Sequence, residues 1–286
     1  MLLTTGLAVA LYVRGAAGER VAVSHSRRIA YFAGLGVLYS ALQTACDYYA
    51  SHMFFVLQLQ HFALHDLGPA LLAAAAPGAT LLRGLPRWAQ PRWQAARRSL
   101  EAPSRLLLDV RTATALYVVS QLIWLLPPLF FEVMLSNRLY RIMSWSMVLG
   151  GLPFWHLMLD PRPHPPARLR LRQRFIFLYL AMLPMTLVSA ALAFSQTNWY
   201  PVYAVCGRFL PISPVMDQEL GGTAMWVPGA ALFGLVFFLF LGRRLDQGAI
   251  AVTSSLAGTS PGHADPSRET AAGRASDCRA SAPGRG

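Results

Sequence analysis

Residues that can bind a soft metal ion lie inside one long apolar segment, DYYASHMFFVLQLQHFALHDLGP, which covers residues 47–69. This segment contains His52, Met53, His61 and His65. Imidazole and thioether groups suit copper(I) better than they suit magnesium or calcium. Polar side chains at membrane depth are costly and normally face the interior of a helix bundle. The segment therefore indicates either a buried metal site or a buried hydrogen-bond network.

Gln58, His61 and His65 are three and four residues apart. That spacing places them on one face of a helix, so His61 and His65 can point at one metal ion. The alternative interpretation is that this stripe links neighbouring helices through hydrogen bonds. The spacing leaves both interpretations open.

Further soft ligands occur in two later apolar segments. Met182 and Met185 share a helix face, with Pro184 between them, and Met225 lies in the last segment, which begins just after Asp217. A methionine in an apolar helix more often serves packing, so a core role is the alternative for each. The candidate metal ligands are His52, Met53, His61, His65, Met182, Met185, Asp217 and Met225.

The helices that must position these residues belong to a chain with the composition of a membrane protein. Of its 286 residues, 55 % are hydrophobic and only 13 % are charged, whereas soluble domains carry about 25 % charged residues. A membrane-spanning helix needs about 20 apolar residues, and the first apolar segment is short by that measure. The seven apolar segments are 2–13, 29–46, 52–76, 113–131, 139–159, 175–195 and 222–242. We therefore predict an all-α membrane protein, a bundle of seven transmembrane helices.

The basic residues are all arginine, and most of them lie in alternate loops. Residues 14–28, 83–111, 162–174 and the stretch from 243 onward hold four, seven, five and six of the 25 arginines. Positive charge accumulates in cytoplasmic loops, so we predict the N-terminus outside and the C-terminus inside. The net charge of +12 is divided into short blocks between apolar runs, which argues against nucleic-acid binding. Without lysine, no retinal Schiff base can form.

Two regions outside the apolar segments have distinct compositions. Residues 246–286 contain few large apolar side chains, so we predict a membrane domain over 1–245 and a disordered cytoplasmic tail over 246–286. The arginine-rich loop 83–111 also contains Trp88 and Trp93. It is either an interfacial helix on the inner leaflet or a plain positively charged cytoplasmic loop.

No pattern in the sequence indicates catalysis. The three cysteines are far apart, and there is no GxSxG, Walker, HExxH or CxxCH motif. We therefore expect no enzymatic activity. Bis-histidine haem ligation needs histidines from two helices at matching depth, which His61 and His65 on one helix do not provide. A transporter often has internal repeats, and none is apparent.

The late part of the chain resembles a known family. YLAMLPMTLVSAALAFS is followed by YPVYA and by ISPVMDQELGGTAMWVPG, a succession similar to the CtaG-type cytochrome c oxidase assembly factors associated with caa-type oxidases. QHFALHDLGPALLAAAAP and GLPFWHLMLDP resemble two further family segments. The resemblance covers about residues 51–243. It implies a seven-span protein of the bacterial plasma membrane that helps assemble the oxidase.

The resemblance also implies partners and ligands. The family is thought to serve copper insertion, so the expected partners are oxidase subunits and possible donors such as a periplasmic copper chaperone. His61 corresponds to the histidine of the family's Gln-His pair, and Asp217 opens its last span. Metal-free scaffolding is the main alternative function, followed by small-solute or metal transport.

The sequence departs from the family in the third span. The family often has His-Met-x-x-His there, and the first two positions of that pattern fall on Leu57 and Gln58 in this chain. The second histidine is His61. His65 restores a pair of histidines one turn apart, displaced inward by a turn.

Overall fold

The structure, a computed structural model, describes residues 2–18, 23–162 and 167–258, and the regular structure in these residues is entirely helical. The first helices are α1 (Leu2–Ala17), α2 (His25–Gln43), α3 (Cys46–Ala50), α4 (Phe54–Phe62), α5 (Gly68–Ala75), α6 (Gly78–Gly84), α7 (Gln90–Ser99) and α8 (Glu101–Leu107). The later ones are α9 (Val110–Leu122), α10 (Pro127–Leu135), α11 (Asn137–Met158), α12 (Leu171–Phe194), α13 (Val202–Cys206) and α14 (Pro214–Gly258).

A π-helical segment, Ala63–Leu67, joins α4 to α5. The resulting stretch is helical from Phe54 to Ala75 and corresponds to the third apolar segment. It ends where Ala76 adopts a left-handed conformation with φ 46°. A π segment has a wider turn than an α-helix and is most often found at functional sites.

The fourth apolar segment, 113–131, does not form one helix. After α9, a 3₁₀ turn covers Ile123–Leu125, Leu126 is extended, and Pro127 begins α10. A residue before proline avoids the α conformation, and proline favours the first turn of a helix. The two consecutive prolines at 127 and 128 therefore divide the predicted span.

Among the described residues, two helices are long and apolar enough to cross a membrane: α12, and residues Pro214–Gly242 of α14. A third is added if the bent pair formed by α8 and Val110–Leu125 is one span. In α12 the helix continues through Pro184. The all-helical prediction is confirmed for the described residues, while the count of seven spans and the orientation stay predictions.

The chain divides into two compact units, Met1–Phe237 and Phe238–Gly286. The tail predicted to be disordered begins at residue 246, but α14 extends to Gly258. Residues 246–258 include alanine and leucine, which favour a helix. The rest of the predicted tail, 259–286, lies outside the described residues.

One group of contacts in the first unit joins the end of α2 to α4. The same group joins the 3₁₀ turn after α9 to the loop after α12. Gln60 Nε2 donates to the Ala41 carbonyl at 2.7 Å, and the Tyr200 hydroxyl donates to the Leu125 carbonyl at 2.9 Å. The rings of Phe54 and Tyr200 stack with centroids 4.4 Å apart. These contacts lie next to the loops between the apolar segments that hold Asp47, Glu132, Asp217 and Glu219, which are the acidic loops of the sequence.

A second group of contacts joins arginine-rich loops. Arg168 Nη1 donates to the Leu108 carbonyl at 3.0 Å, which connects the loop before α12 to the corner between α8 and α9. Arg174 Nη1 donates to the Met158 carbonyl at 3.0 Å and so satisfies the C-terminal end of α11.

Candidate metal site

A cavity of about 40 Å³ lies between the π segment, α9, α12 and α14. It exceeds the roughly 10–15 Å³ that one water molecule requires. Its lining residues are His65, Asp66, Tyr117, Gln121, Met182, Met185, Thr186, Ser189, Met225, Trp226, Gly229, Ala230 and Phe233. Four of the eight candidate ligands, one histidine and three methionines from three separate helical stretches, therefore line one cavity.

His65 is held in one orientation by α9. Its Nε2 lies 3.2 Å from Ser120 Oγ. The Ser120 hydroxyl donates to the Tyr117 carbonyl at 3.1 Å, so its oxygen can accept a hydrogen from His65 Nε2. The other ring nitrogen, Nδ1, lies 3.7 Å from Asp66 Oδ2. An imidazole fixed through one nitrogen, with the other available, is the usual arrangement of a metal-binding histidine.

The π segment presents two successive side chains to the same cavity. His65 stacks on the Tyr117 ring with centroids 4.1 Å apart, and the Tyr117 hydroxyl donates to Asp66. Sequence reasoning missed Asp66 and Tyr117. Asp66 had an available signal, because an ionisable residue inside a membrane segment is by default a candidate for function.

Two glycines of α11 allow the close packing that positions His65. A Cβ atom at Gly151 would lie 2.2 Å from the His65 carbonyl oxygen, and one at Gly150 would lie 2.1 Å from Ser120 Oγ. Real Cβ contacts are never this short. Only glycine therefore lets α11 contact both the π segment and α9.

His61 and Gln58 are separated from the cavity. Both are buried, with 1 % of their surface exposed, yet neither lines it. Among the described residues, neither the ring nitrogens of His61 nor the side-chain amide of Gln58 has a hydrogen-bond partner. The single stripe predicted for Gln58, His61 and His65 assumes an unbroken α-helix, whereas a π segment begins at Ala63 and contains His65.

Asp217, a candidate metal ligand, does not line the cavity and lies instead at the start of α4. Its carboxylate accepts hydrogen bonds from the backbone N–H groups of Phe54 at 3.0 Å and Phe55 at 3.1 Å. Arg208 Nε lies 3.5 Å from the same carboxylate. Asp217 therefore caps the N-terminus of α4 from a position distant in sequence, where a negative charge is favoured by the helix dipole.

The residues after Asp217 complete this junction. Gln218 accepts the N–H of Trp199 at 2.8 Å and donates to the Thr197 carbonyl at 3.1 Å. A Cβ atom at Gly221 would lie 2.2 Å from the Phe54 ring, and one at Gly222 would lie 2.6 Å from the Ala193 nitrogen. The motif DQELGG thus joins α14 to α4 and α12.

His52 and Met53 lie at the start of α4, outside the cavity lining. His52 Nδ1 donates to the Tyr48 carbonyl at 2.8 Å, and its ring packs on the Tyr48 ring. Met53 is buried, with 1 % of its surface exposed. The structure does not bring either residue together with His65 and the cavity methionines.

A second buried hydrogen-bond network, around Gln60 of α4, was not predicted. Gln60 Nε2 donates to Asp47 Oδ1 at 3.0 Å, and its Oε1 accepts the Tyr140 hydroxyl at 2.6 Å. Gln60 thereby links α3 and α11 to α4. Its position in a buried apolar segment was the available signal, because a buried amide needs partners.

Within the described residues, no three side chains of the types His, Cys, Asp and Glu are grouped so that they could hold a metal ion. Binding in the cavity would therefore depend on the three thioethers together with His65. Such a donor set favours copper(I) and is poorly suited to magnesium or calcium.

Comparison with known proteins decides the family. A family model described as cytochrome c oxidase caa3 assembly factor matches residues 8–247. The chain belongs to this family. No curated protein and no solved structure matches the chain. Both the cavity and the junction around Asp217 fall within the matched residues. As an assembly factor for cytochrome c oxidase, the chain associates with the oxidase or its parts.

Proposed function

We propose that this assembly factor carries copper(I) for insertion into cytochrome c oxidase. In this proposal copper is a cargo that leaves the chain unchanged, so the chain is not an enzyme. One observation carries the proposal: His65 and three methionines, two from α12 and one from α14, line the same cavity. Packing alone does not require thioethers from α12 and α14 to meet an oriented imidazole there.

The residues around the cavity fit a copper(I) cargo. Met182, Met185 and Met225 would supply sulfur, and His65 would supply Nδ1 while Ser120 holds its other nitrogen. Thioether and imidazole ligands favour copper(I). Asp66 would offset the positive charge of the ion, since its carboxylate lies 3.7 Å from His65 Nδ1.

We further propose that the chain spans the bacterial inner membrane seven times and receives copper from the periplasmic side, from a copper chaperone. The two groups of contacts support this arrangement, because one joins the acidic loops and the other joins the arginine-rich loops. Arginine-rich loops stay in the cytoplasm. The helical stretch Phe54–Ala75 has a length compatible with one span.

Replacing the cavity methionines tests the proposal. The triple variant Met182→Leu, Met185→Leu, Met225→Leu removes the thioethers but keeps the volume, a change that usually costs less than about 1.5 kcal/mol per site. Met143→Leu, Met147→Leu is the matched control, because both methionines are fully buried in the core and outside the cavity lining. Copper(I) is titrated into purified protein under reducing conditions against a competing chelator.

We expect the cavity variant to lose copper(I) binding and the core variant to keep it. In a strain lacking the native protein, the copper content of the oxidase should stay low with the cavity variant. The core variant should restore that copper content. Full copper binding and full oxidase copper content with the cavity variant would refute the proposal.

A metal-free scaffold is the second candidate function. It is favoured by Asp217 and Gln218, whose polar groups are engaged in helix junctions. If the chain is a scaffold, the purified wild-type protein contains no copper under reducing conditions. Oxidase assembly still depends on the chain in that case.

A further inference from the structure

Helices α7 and α8 contain no buried residue. The loop before α7 and the helices themselves expose large apolar side chains, with 69 % of Trp88, 45 % of Trp93 and 63 % of Leu106 accessible. Large apolar patches on a protein surface mark sites of interaction. The packing of the described residues does not account for these side chains.

The apolar side chains of α7 form a narrow stripe with arginines on both sides. Trp93, Ala96 and Leu100 recur at three and four residues, so they share one helix face. Arg92 and Arg97 lie next to that stripe on opposite sides by the same periodicity. Long arginine side chains in such positions lie along an apolar surface while their charged ends reach outward.

The guanidinium of Arg92 lies 5.6 Å from the centre of the Trp88 ring. Tryptophan and arginine together are typical of the boundary between lipid headgroups and acyl chains, because each combines an apolar body with a polar end.

The direction of α8 agrees with a position at the boundary between lipid headgroups and acyl chains. The helix axis bends by 68° between Glu101–Leu107 and Val110–Leu125. If the second of these crosses the membrane, α8 runs close to the membrane plane. Arg168 supports this corner through its hydrogen bond to the Leu108 carbonyl at 3.0 Å.

The charge of this region is strongly positive. Residues 87–107 contain five arginines and one acidic residue, Glu101, whose carboxylate lies 3.5 Å from Arg105. The other four arginines are Arg87, Arg92, Arg97 and Arg98. A cluster of this kind next to a membrane-crossing helix is complementary to anionic lipid headgroups.

We propose that residues 87–107 form a membrane-surface element that binds anionic phospholipid, with Trp88, Trp93 and Leu100 inserted at the interface and Arg92 and Arg97 on the phosphates. This element is separate from the copper cavity, and the proposal holds whether or not the chain carries copper.

Hydrogen exchange of the full chain in lipid nanodiscs tests the proposal. Discs of phosphatidylcholine alone are compared with discs of equal parts phosphatidylcholine and phosphatidylglycerol. The variant Arg92→Gln, Arg97→Gln removes two charges while glutamine keeps nearly the same helix propensity. The control Arg27→Gln, Arg28→Gln removes two exposed arginines from another arginine-rich stretch, residues 14–28.

We expect slower exchange in 87–107 in the phosphatidylglycerol discs, with a difference of roughly fivefold for each arginine engaged. High salt should reduce this difference. The α7 variant should abolish the difference, and the control variant should keep it. Equal exchange in both lipids would overturn the proposal, because it would indicate that the region binds protein or remains free. Equal loss in both variants would overturn it too, since it would reflect net charge alone.

Discussion

The two regions around Asp217 and around His65 contain similar polar groups but use them differently. The Asp217 carboxylate is engaged by the N–H groups of Phe54 and Phe55 and by Arg208. His65 is oriented by Ser120 at Nε2 and by the Tyr117 ring, and it lines a cavity that three methionines also line.

This difference separates structural from functional polar residues in a membrane segment. A buried polar group whose hydrogen bonds are complete stabilises a junction. An oriented imidazole that lines a cavity has capacity for a ligand. The junction should therefore respond to mutation through stability, and the cavity through copper affinity.

The largest effect should come from Asp217→Ala, which leaves Arg208 and the N–H groups of Phe54 and Phe55 without their acceptor. Removing one partner of a buried ion pair costs about 3–5 kcal/mol. The purified variant should unfold at a markedly lower temperature than wild type in detergent. Asp217→Asn, which keeps one carbonyl acceptor, should lose less. Unchanged stability of Asp217→Ala would remove the distinction between the two regions.

Gly151→Ala should disturb the cavity through the backbone. The new methyl group would lie 2.2 Å from the His65 carbonyl, and such overpacking costs about 1–3 kcal/mol. We expect both lower stability and weaker copper(I) binding. The control is Gly234→Ala, since a Cβ atom at Gly234 meets nothing within 4 Å. A Gly151→Ala protein that binds copper as wild type does would show that the position of the π segment is unimportant.

Ser120→Ala should affect copper affinity more than stability. It removes the hydrogen bond that orients His65, and loss of such a contact typically weakens metal binding about 10–100-fold. Ser144→Ala is the matched control, because Ser144 is also buried and donates to a backbone carbonyl, that of Tyr140, at 3.0 Å. Similar copper affinities for the two variants would exclude an orienting role for Ser120.

The smallest effect concerns the loop after α11, where Arg162 lowers the pKa of Asp160 through hydrogen bonds. A lowered carboxyl pKa contributes stability above the unfolded-state value and loses it as pH falls through the folded-state value. Wild type should therefore exceed Asp160→Asn slightly in stability near neutral pH, and the gap should close below about pH 4. Thermal unfolding across pH measures this gap, and a constant gap would contradict the assignment.

The sequence predicted the helical class and named four of the residues that line the cavity as candidate ligands, because apolar segments and soft ligands are local features. His65, Met182, Met185 and Met225 were all candidates from their residue type and position. The two adjacent prolines were also an available signal for the break in the helix at Pro127.

The π segment and the cap by Asp217 depend on contacts between residues that are distant in sequence. The π segment is associated with the close approach of Gly151 to the His65 carbonyl. No local pattern indicates that Asp217 caps a helix that begins at Phe54. An acidic residue at the start of an apolar segment is equally compatible with a metal site and with a helix cap, and only the packing distinguishes them.

X-ray absorption at the copper edge of the purified, copper(I)-loaded protein tests the metal-site proposal most directly. We predict a first shell that contains sulfur together with nitrogen, as expected for thioethers and His65. The sulfur contribution should disappear in the Met182→Leu, Met185→Leu, Met225→Leu variant. A copper shell without sulfur in the wild-type protein, or an unchanged shell in this variant, would contradict the assignment of the cavity as the copper site.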